Sequence, residues 1–261
     1  MHTLKQELRL VLVALQFLTR LPLPQLAQFD PQWLHQSARY FPLVGLLIGS
    51  GLALAFALLS WLFNPVIAAL GSTACGLILT GAFHEDGFAD TCDALGGSVS
   101  REKALDIMKD SRLGTYGTAG LILMLGLKVS LLASLPITLA CWALIFSHGW
   151  SRWFSISLIA CLPYAGDLEH AKAKPLAQHL SRTQAATALV PPLALLLGMS
   201  WLAWPWWSAA LPLALMLFSS LWMGRMLKRR LGGYTGDGLG ATQQLAELAS
   251  YAGWFLVWAH V

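Results

Sequence analysis

Charge is what this chain lacks. Only 11% of its 261 residues are Asp, Glu, Lys or Arg, against about a quarter in an ordinary soluble domain. A soluble protein of this length could bury a core, but so few charges could not cover its surface in water. With 56% hydrophobic residues and a mean hydropathy of +0.60, the chain reads as an integral membrane protein. Cysteine is scarce too. Cys75, Cys92, Cys141 and Cys161 form no C-x-x-C pair, so neither a disulfide framework nor a zinc site is expected. Three of them lie in apolar stretches, where a thiol behaves as a small buried hydrophobe. Repeats, low-complexity tracts and long linkers are absent, which favours one membrane domain over residues 1–261.

What is present is a series of apolar runs. A helix needs roughly 20 apolar residues to span the hydrocarbon core. Residues 41–63, 65–83, 115–135, 136–162, 185–199 and 208–223 qualify as candidates, and 245–261 closes the chain. The expectation is an all-α, polytopic membrane protein of about six or seven transmembrane helices arranged as hairpins. Asn64-Pro65, Leu135-Pro136 and the tryptophan-rich residues 201–207 supply the tight turns. Residues 10–18, preceded by Lys5 and Arg9, resemble a signal peptide only loosely. Thr19-Arg20-Leu21-Pro22 is a poor cleavage site, so a retained short or interfacial helix is expected.

The polar residues are gathered in residues 84–114, 163–184 and 224–241. Fifteen of the seventeen Lys and Arg fall there or in the N-terminal segment, and none in the opposite turns. That is the positive-inside pattern, which places the three segments in the cytoplasm. The net charge of +4 therefore reports membrane orientation and argues against a nucleic-acid partner.

Seven of the thirteen acidic residues lie between Glu85 and Asp110. Within His84-Glu85-Asp86-Gly87-Phe88-Ala89-Asp90-Thr91-Cys92-Asp93, three carboxylates are spaced i, i+4, i+7. On a helix Asp86, Asp90 and Asp93 share one face, where like charges repel. A solvated helix cap explains one or two acids but not three in line. A divalent cation does, and Mg²⁺ takes oxygen ligands, usually one or two carboxylates plus substrate phosphates and water. His84 could accept a proton, since its ordinary pKa lies near neutrality. Downstream, Asp106 and Asp110 repeat the i, i+4 spacing beside Lys109 and Arg112. Arg112 offers a planar fork suited to phosphate oxygens, although a salt-bridge ladder reads equally well. Residues 232–240 are glycine-rich and carry one acid, Asp237. They can serve as an anion-binding turn or as a connector, and do not match a Walker sequence. Lys128, His148 and Arg152 sit alone in apolar stretches, where charge usually faces the bundle interior.

Taken in order, these motifs resemble the cobalamin synthase family, the adenosylcobinamide-GDP ribazoletransferases. The resemblance covers nearly the whole chain. It is carried by Phe17-Leu18-Thr19-Arg20-Leu21-Pro22, Phe41-Pro42-Leu43-Val44-Gly45, and the run from Gly81-Ala82-Phe83 through the acidic motif. Ile107-Met108-Lys109-Asp110-Ser111-Arg112-Leu113-Gly114-Thr115 and Leu231-Gly232-Gly233-Tyr234-Thr235-Gly236-Asp237 complete it. Gln244 stands where the family often has glutamate, and Gly238 replaces a bulkier residue. The resemblance implies a Mg²⁺-dependent enzyme of the bacterial inner membrane, with room for a homo-oligomer. The 3′-hydroxyl of α-ribazole, or of its 5′-phosphate, would attack the cobinamide-linked phosphorus of adenosylcobinamide-GDP, and GMP would leave. Asp86, Asp90, Asp93, Asp110 and Asp237 are then the expected metal-site ligands. His84, Asp93 and Arg112 are the expected catalytic groups, with His84 or Asp93 as base. Two other classes stay open at this point. The CDP-alcohol phosphotransferases run a similar displacement, but their G-x(3)-D-x(3)-D ending is not reproduced. A cation transporter would set its acids at mid-membrane on broken helices.

Overall fold

The computed structural model describes residues 3–24, 30–97, 99–166, 180–198 and 206–260. Eleven α-helices account for nearly all of them. In chain order they are α1 (Leu4–Leu18), α2 (Pro31–Ser37), α3 (Phe41–Leu62), α4 (Pro65–Thr80), α5 (Phe83–Gly96) and α6 (Arg101–Lys109). There follow α7 (Thr115–Ala133), α8 (Ile137–Cys161), α9 (Arg182–Gly198), α10 (Ala210–Leu231) and α11 (Gly236–Ala259). Residues 201–205 of the predicted turn and most of residues 163–184 lie outside the described residues.

Helix boundaries follow local chemistry. Asn64 caps α4, its Oδ1 accepting from Ile67 N–H at 3.0 Å, with Pro65 at the first helical position. Such a cap contributes about 1 kcal/mol. The span expected over residues 65–83 stops early, at Thr80. Gly81 (φ +69°) and Ala82 (φ +56°) are both left-handed, and α5 leaves at 92° to α4. Gly81 adopts that conformation freely, whereas Ala82 is strained. The N-terminal segment seals the corner. Arg20 N–H donates to Leu79 O at 2.7 Å, and its side chain lies where a Cβ at Gly81 would have to go.

Thr115–Ala133, Trp207–Leu231 and the helical stretch Gln32–Leu62 are each long and apolar enough to cross a membrane; α4 and α5 qualify only as a bent pair. Helices α8 and α11 have 25 and 24 residues, about 37 Å at 1.5 Å per residue. Their hydropathy is lowered by polar side chains that face inward. Leu54, Leu58, Ile78, Ile122, Leu123, Phe218 and Trp222 stand exposed on the outer faces, as lipid contact requires. Inside, small residues let backbones close up. A Cβ at Gly45 or Gly49 of α3 would collide with backbone of α8, and one at Gly253 of α11 would sit 2.6 Å from Pro212 Cα of α10.

The third polar segment departs most from expectation. Residues 224–231 complete α10, because Lys228, Arg229 and Arg230 suit the negative end of a helix dipole. Residues 236–241 already belong to α11, capped by Thr235, whose Oγ1 accepts from Gly238 N–H at 3.0 Å. Only the link between them is left. Arginines then fasten this end together. Arg101 Nε donates to Leu231 O (2.6 Å), and Arg230 donates to Leu95 O (3.1 Å) and Gly97 O (2.8 Å). We read α5, α6 and the first turn of α11 as the polar end of the bundle, outside the spans.

Candidate active site

Two glycines build the acidic face. Gly87 lies against the start of α11 so closely that a Cβ there would be 2.9 Å from Asp237 Cα and 3.0 Å from Asp237 O. Gly240 answers from α11, where a Cβ would meet His84 O at 3.2 Å. The close contact brings Asp237 to the carboxylates of α5. Asp90 is pushed up to about 7, first by burial and then by the charges of Asp237, Asp86 and Asp93. Asp237 is pushed up to about 6 by burial and by Asp86. These acids are crowded together with no cation among the groups that act on them. A cation held there would reverse both shifts. Among the described residues, no three His, Cys, Asp or Glu converge closely enough to form a ready-made metal cage. The donor set therefore fits a cation that takes one or two carboxylates and draws its remaining oxygens from water and a bound phosphate, as Mg²⁺ does.

The other expected residues are placed differently. Asp93 shares the face, but both its oxygens are engaged: Oδ2 accepts from Gly114 N–H and Oδ1 from Gly117 N–H, each at 2.8 Å. It thereby caps α7 and ties the first motif to the second. Gly114 and Gly117 leave room for it, since a Cβ at Gly114 would stand 2.5 Å from Asp93 Oδ1. Asp110 follows the last residue of α6 and pairs with Arg112 (2.5 Å from Nη2 to Oδ2) on the exposed surface. That pairing holds the Asp110 carboxyl down at about 2, and Asp110 is not among the charges acting on Asp90. His84 turns inward and is buried. Burial and the nearby Arg152 cation lower its pKa well below the usual histidine range, so it is neutral at pH 7.

Behind this face lies a polar core that the sequence hid. Lys128 of α7 donates to Glu247 Oε1 and Gln244 Oε1 of α11, each at 2.6 Å. Glu247 also accepts from Gln243 (2.6 Å) and Tyr251 (3.2 Å), and His148 Nε2 lies 3.5 Å away. Gln244 donates onward to Glu85 at 3.0 Å. This gives a reason for an amide at position 244: it accepts from a lysine and donates to a carboxylate at once, which a glutamate could not do. Arg152 Nη1 donates to His148 O at 2.9 Å, while Arg152 Nε and Glu85 Oε2 are buried without partners. From the sequence, Lys128, His148 and Arg152 stand out only individually. Glu247 was the missed residue. The available signal was that two cations in apolar stretches call for a buried anion, with Glu247 the candidate acid in the closing stretch.

Two crevices meet at His84 and Arg152. One, of about 30 Å³, lies among Ser72, Thr80, Glu85, Lys128 and Glu247, with room for a water or two. The other opens between α1, α3, α5, α8 and α11, walled by Phe17, Phe41 and Phe83.

Comparison with known proteins converges on one family. The sequence model of a family described as cobalamin-5-phosphate synthase matches residues 10–255. A relative in Leptothrix cholodnii, named adenosylcobinamide-GDP ribazoletransferase, is 49% identical over 99% of both chains. Proteins of the same name in Vibrio cholerae (42% identical, 95% of this chain and 94% of that one) and Polaromonas sp. (40% identical, 97% and 98%) are also similar. No solved structure matches the chain.

Proposed function

The chain belongs to the cobalamin-5-phosphate synthase family, and from that premise we propose that it acts as an adenosylcobinamide-GDP ribazoletransferase. It joins α-ribazole, or its 5′-phosphate, to adenosylcobinamide-GDP. The ribose 3′-oxygen bonds to the cobinamide-linked phosphorus, the bond from that phosphorus to the GMP oxygen breaks, and the hydroxyl proton is released. The products are GMP and adenosylcobalamin or its 5′-phosphate. The enzyme works in the bacterial inner membrane with its polar end in the cytoplasm, the side that its lysines and arginines favour.

The observation that carries this reading is the crowding of Asp86, Asp90 and Asp237 where α5 meets α11. Displacement at phosphorus depends on positioning and on neutralising charge. One or two of Asp86, Asp90 and Asp237 would hold Mg²⁺, which would neutralise the diphosphate and ease departure of GMP. Arg112, exposed on the surface and paired with its neighbour Asp110, would exchange that partner for phosphate oxygens. Asp93 positions α7. His84 lines the aromatic crevice and, held neutral by burial and Arg152, can orient the ribose hydroxyl as a hydrogen-bond acceptor. The test is the purified protein with adenosylcobinamide-GDP and α-ribazole, with Mg²⁺ or with a chelator. GMP and the joined corrinoid should appear only with Mg²⁺. Release of no GMP would overturn the activity, and equal release under chelation would overturn the metal.

A further inference from the structure

Resting on that activity, we infer that the crevice between α1, α3, α5, α8 and α11 seats the flat heteroaromatic base of the acceptor riboside and sets which base is accepted. Its walls are aromatic. Phe17 lies parallel to Phe41 (centroids 5.8 Å apart, 3° between planes) and edge-on to Phe83 (5.2 Å, 86°), and Phe83 is edge-on to His84 (5.3 Å, 81°). The crevice encloses about 50 Å³ behind an open mouth, room for the edge of a flat ring. Gly236 and Gly240 line it on the α11 side, next to Asp237. A Cβ at Gly236 would touch nothing within 4 Å. A base inserted here leaves its sugar at the acidic face.

The polar groups lining the crevice then select the base. Ser155 Oγ already donates to Leu239 O at 2.7 Å, and Gln243 Nε2 donates to Ser151 and Glu247. Arg152 is 2% exposed and lines the crevice with its Nε–H unpartnered. The site thus offers the Arg152 Nε–H, beside the His84 ring, within largely apolar walls. A benzimidazole riboside carries one free ring nitrogen, an acceptor, on an otherwise apolar bicycle, and matches it. A purine brings further ring nitrogens and exocyclic groups that would be buried unpaired, which disfavours binding strongly. A lipid acyl chain would leave the Arg152 N–H unsatisfied.

The test compares KM for α-ribazole with KM for adenosylcobinamide-GDP in the full-length enzyme and in Gly236→Leu, Phe17→Ala and Arg152→Met. Gly236→Leu fills the crevice and should raise KM for α-ribazole at least about tenfold, with KM for the GDP substrate within about twofold. Phe17→Ala should narrow the preference for α-ribazole over a purine α-riboside by roughly fivefold or more. Arg152→Met should act like Gly236→Leu on KM, and the two other variants keep the test alive should it fail to fold. Unchanged KM for α-ribazole in both Gly236→Leu and Phe17→Ala would overturn the inference while leaving the activity standing. Equal shifts in both substrates, or a change only in lipid dependence, would overturn it too, the last naming an acyl chain as the occupant. A wild-type enzyme that forms no product from α-ribazole would sink the parent reading instead.

Discussion

Replacing Lys128 by Met leaves the side-chain volume nearly unchanged and strips Glu247 of its lysine partner. Both side chains are almost wholly buried, at 6% and 3% exposure, and the lysine makes two bonds of 2.6 Å. After the substitution Glu247 keeps Gln243 and Tyr251 as donors, with His148 at 3.5 Å. An uncompensated buried charge of this kind destabilises by about 3–5 kcal/mol. Glu247→Met alone should lose a similar amount, because it strands the lysine. The pair replaced together should fold within roughly 1–2 kcal/mol of the parent, since two desolvation penalties vanish with the attraction. Reversible unfolding of the two single variants and the double variant in mixed micelles measures this cycle. Losses that add to within about 0.5 kcal/mol would refute the reasoning, because they would mean that the two charges do not sense each other.

The remaining expectations concern the acidic face. Asp90→Asn should abolish GMP release while leaving protein abundance near wild type; an active variant removes Asp90 from the site. Asp93→Ala should instead destabilise by about 1–2 kcal/mol through loss of two N–H acceptors at α7, with the Mg²⁺ concentration for half-maximal activity little changed. Gly87→Ala forces the α5 and α11 backbones apart and should destabilise by about 1–3 kcal/mol as well as lowering turnover. Folding at wild-type stability would show the contact to be slack. Raised carboxyl pKa values mean that the folded state holds protons the unfolded state has released. Without divalent cation Asp90 should therefore contribute a loss of stability as pH rises from about 4 toward 7, read as wild type minus Asp90→Asn because buried neutral His84 contributes in the opposite sense over the same window. Added Mg²⁺ should flatten that slope, and a slope of opposite sign would contradict it.

Much of the fold was legible because lipid imposes simple demands. Apolar runs over residues 41–63, 115–135 and 136–162 return as α3, α7 and α8 within a residue or two, and Asn64-Pro65 and Leu135-Pro136 turn where expected. The corner at Gly81-Ala82 was not legible, since hydropathy continues past it and Ala82 gives no sign of a left-handed backbone. Nor was the helical character of residues 224–231 and 236–241, where charge and glycine count read as loop while dipole and capping chemistry make helix. In the site, the alignment of Asp86, Asp90 and Asp93 followed from spacing alone. What Asp93 binds did not, because its partners are backbone N–H groups 21 and 24 residues away. Glu247 met Lys128 across 119 residues, a pairing that only the packing of α7 on α11 decides.

The corner after α4 has a consequence for where the chemistry takes place. Sixteen residues reach only about 24 Å at 1.5 Å per residue, short of a hydrocarbon slab roughly 30 Å thick. The acidic helix therefore hangs from a column shorter than the hydrocarbon slab, which sets it at the level of the headgroups, where a bilayer can thin around it. A reactant with an oily ring at one end and a charged phosphate at the other finds both of its preferred media at that depth. Bilayer thickness thus becomes a variable of the reaction, acting through one truncated helix.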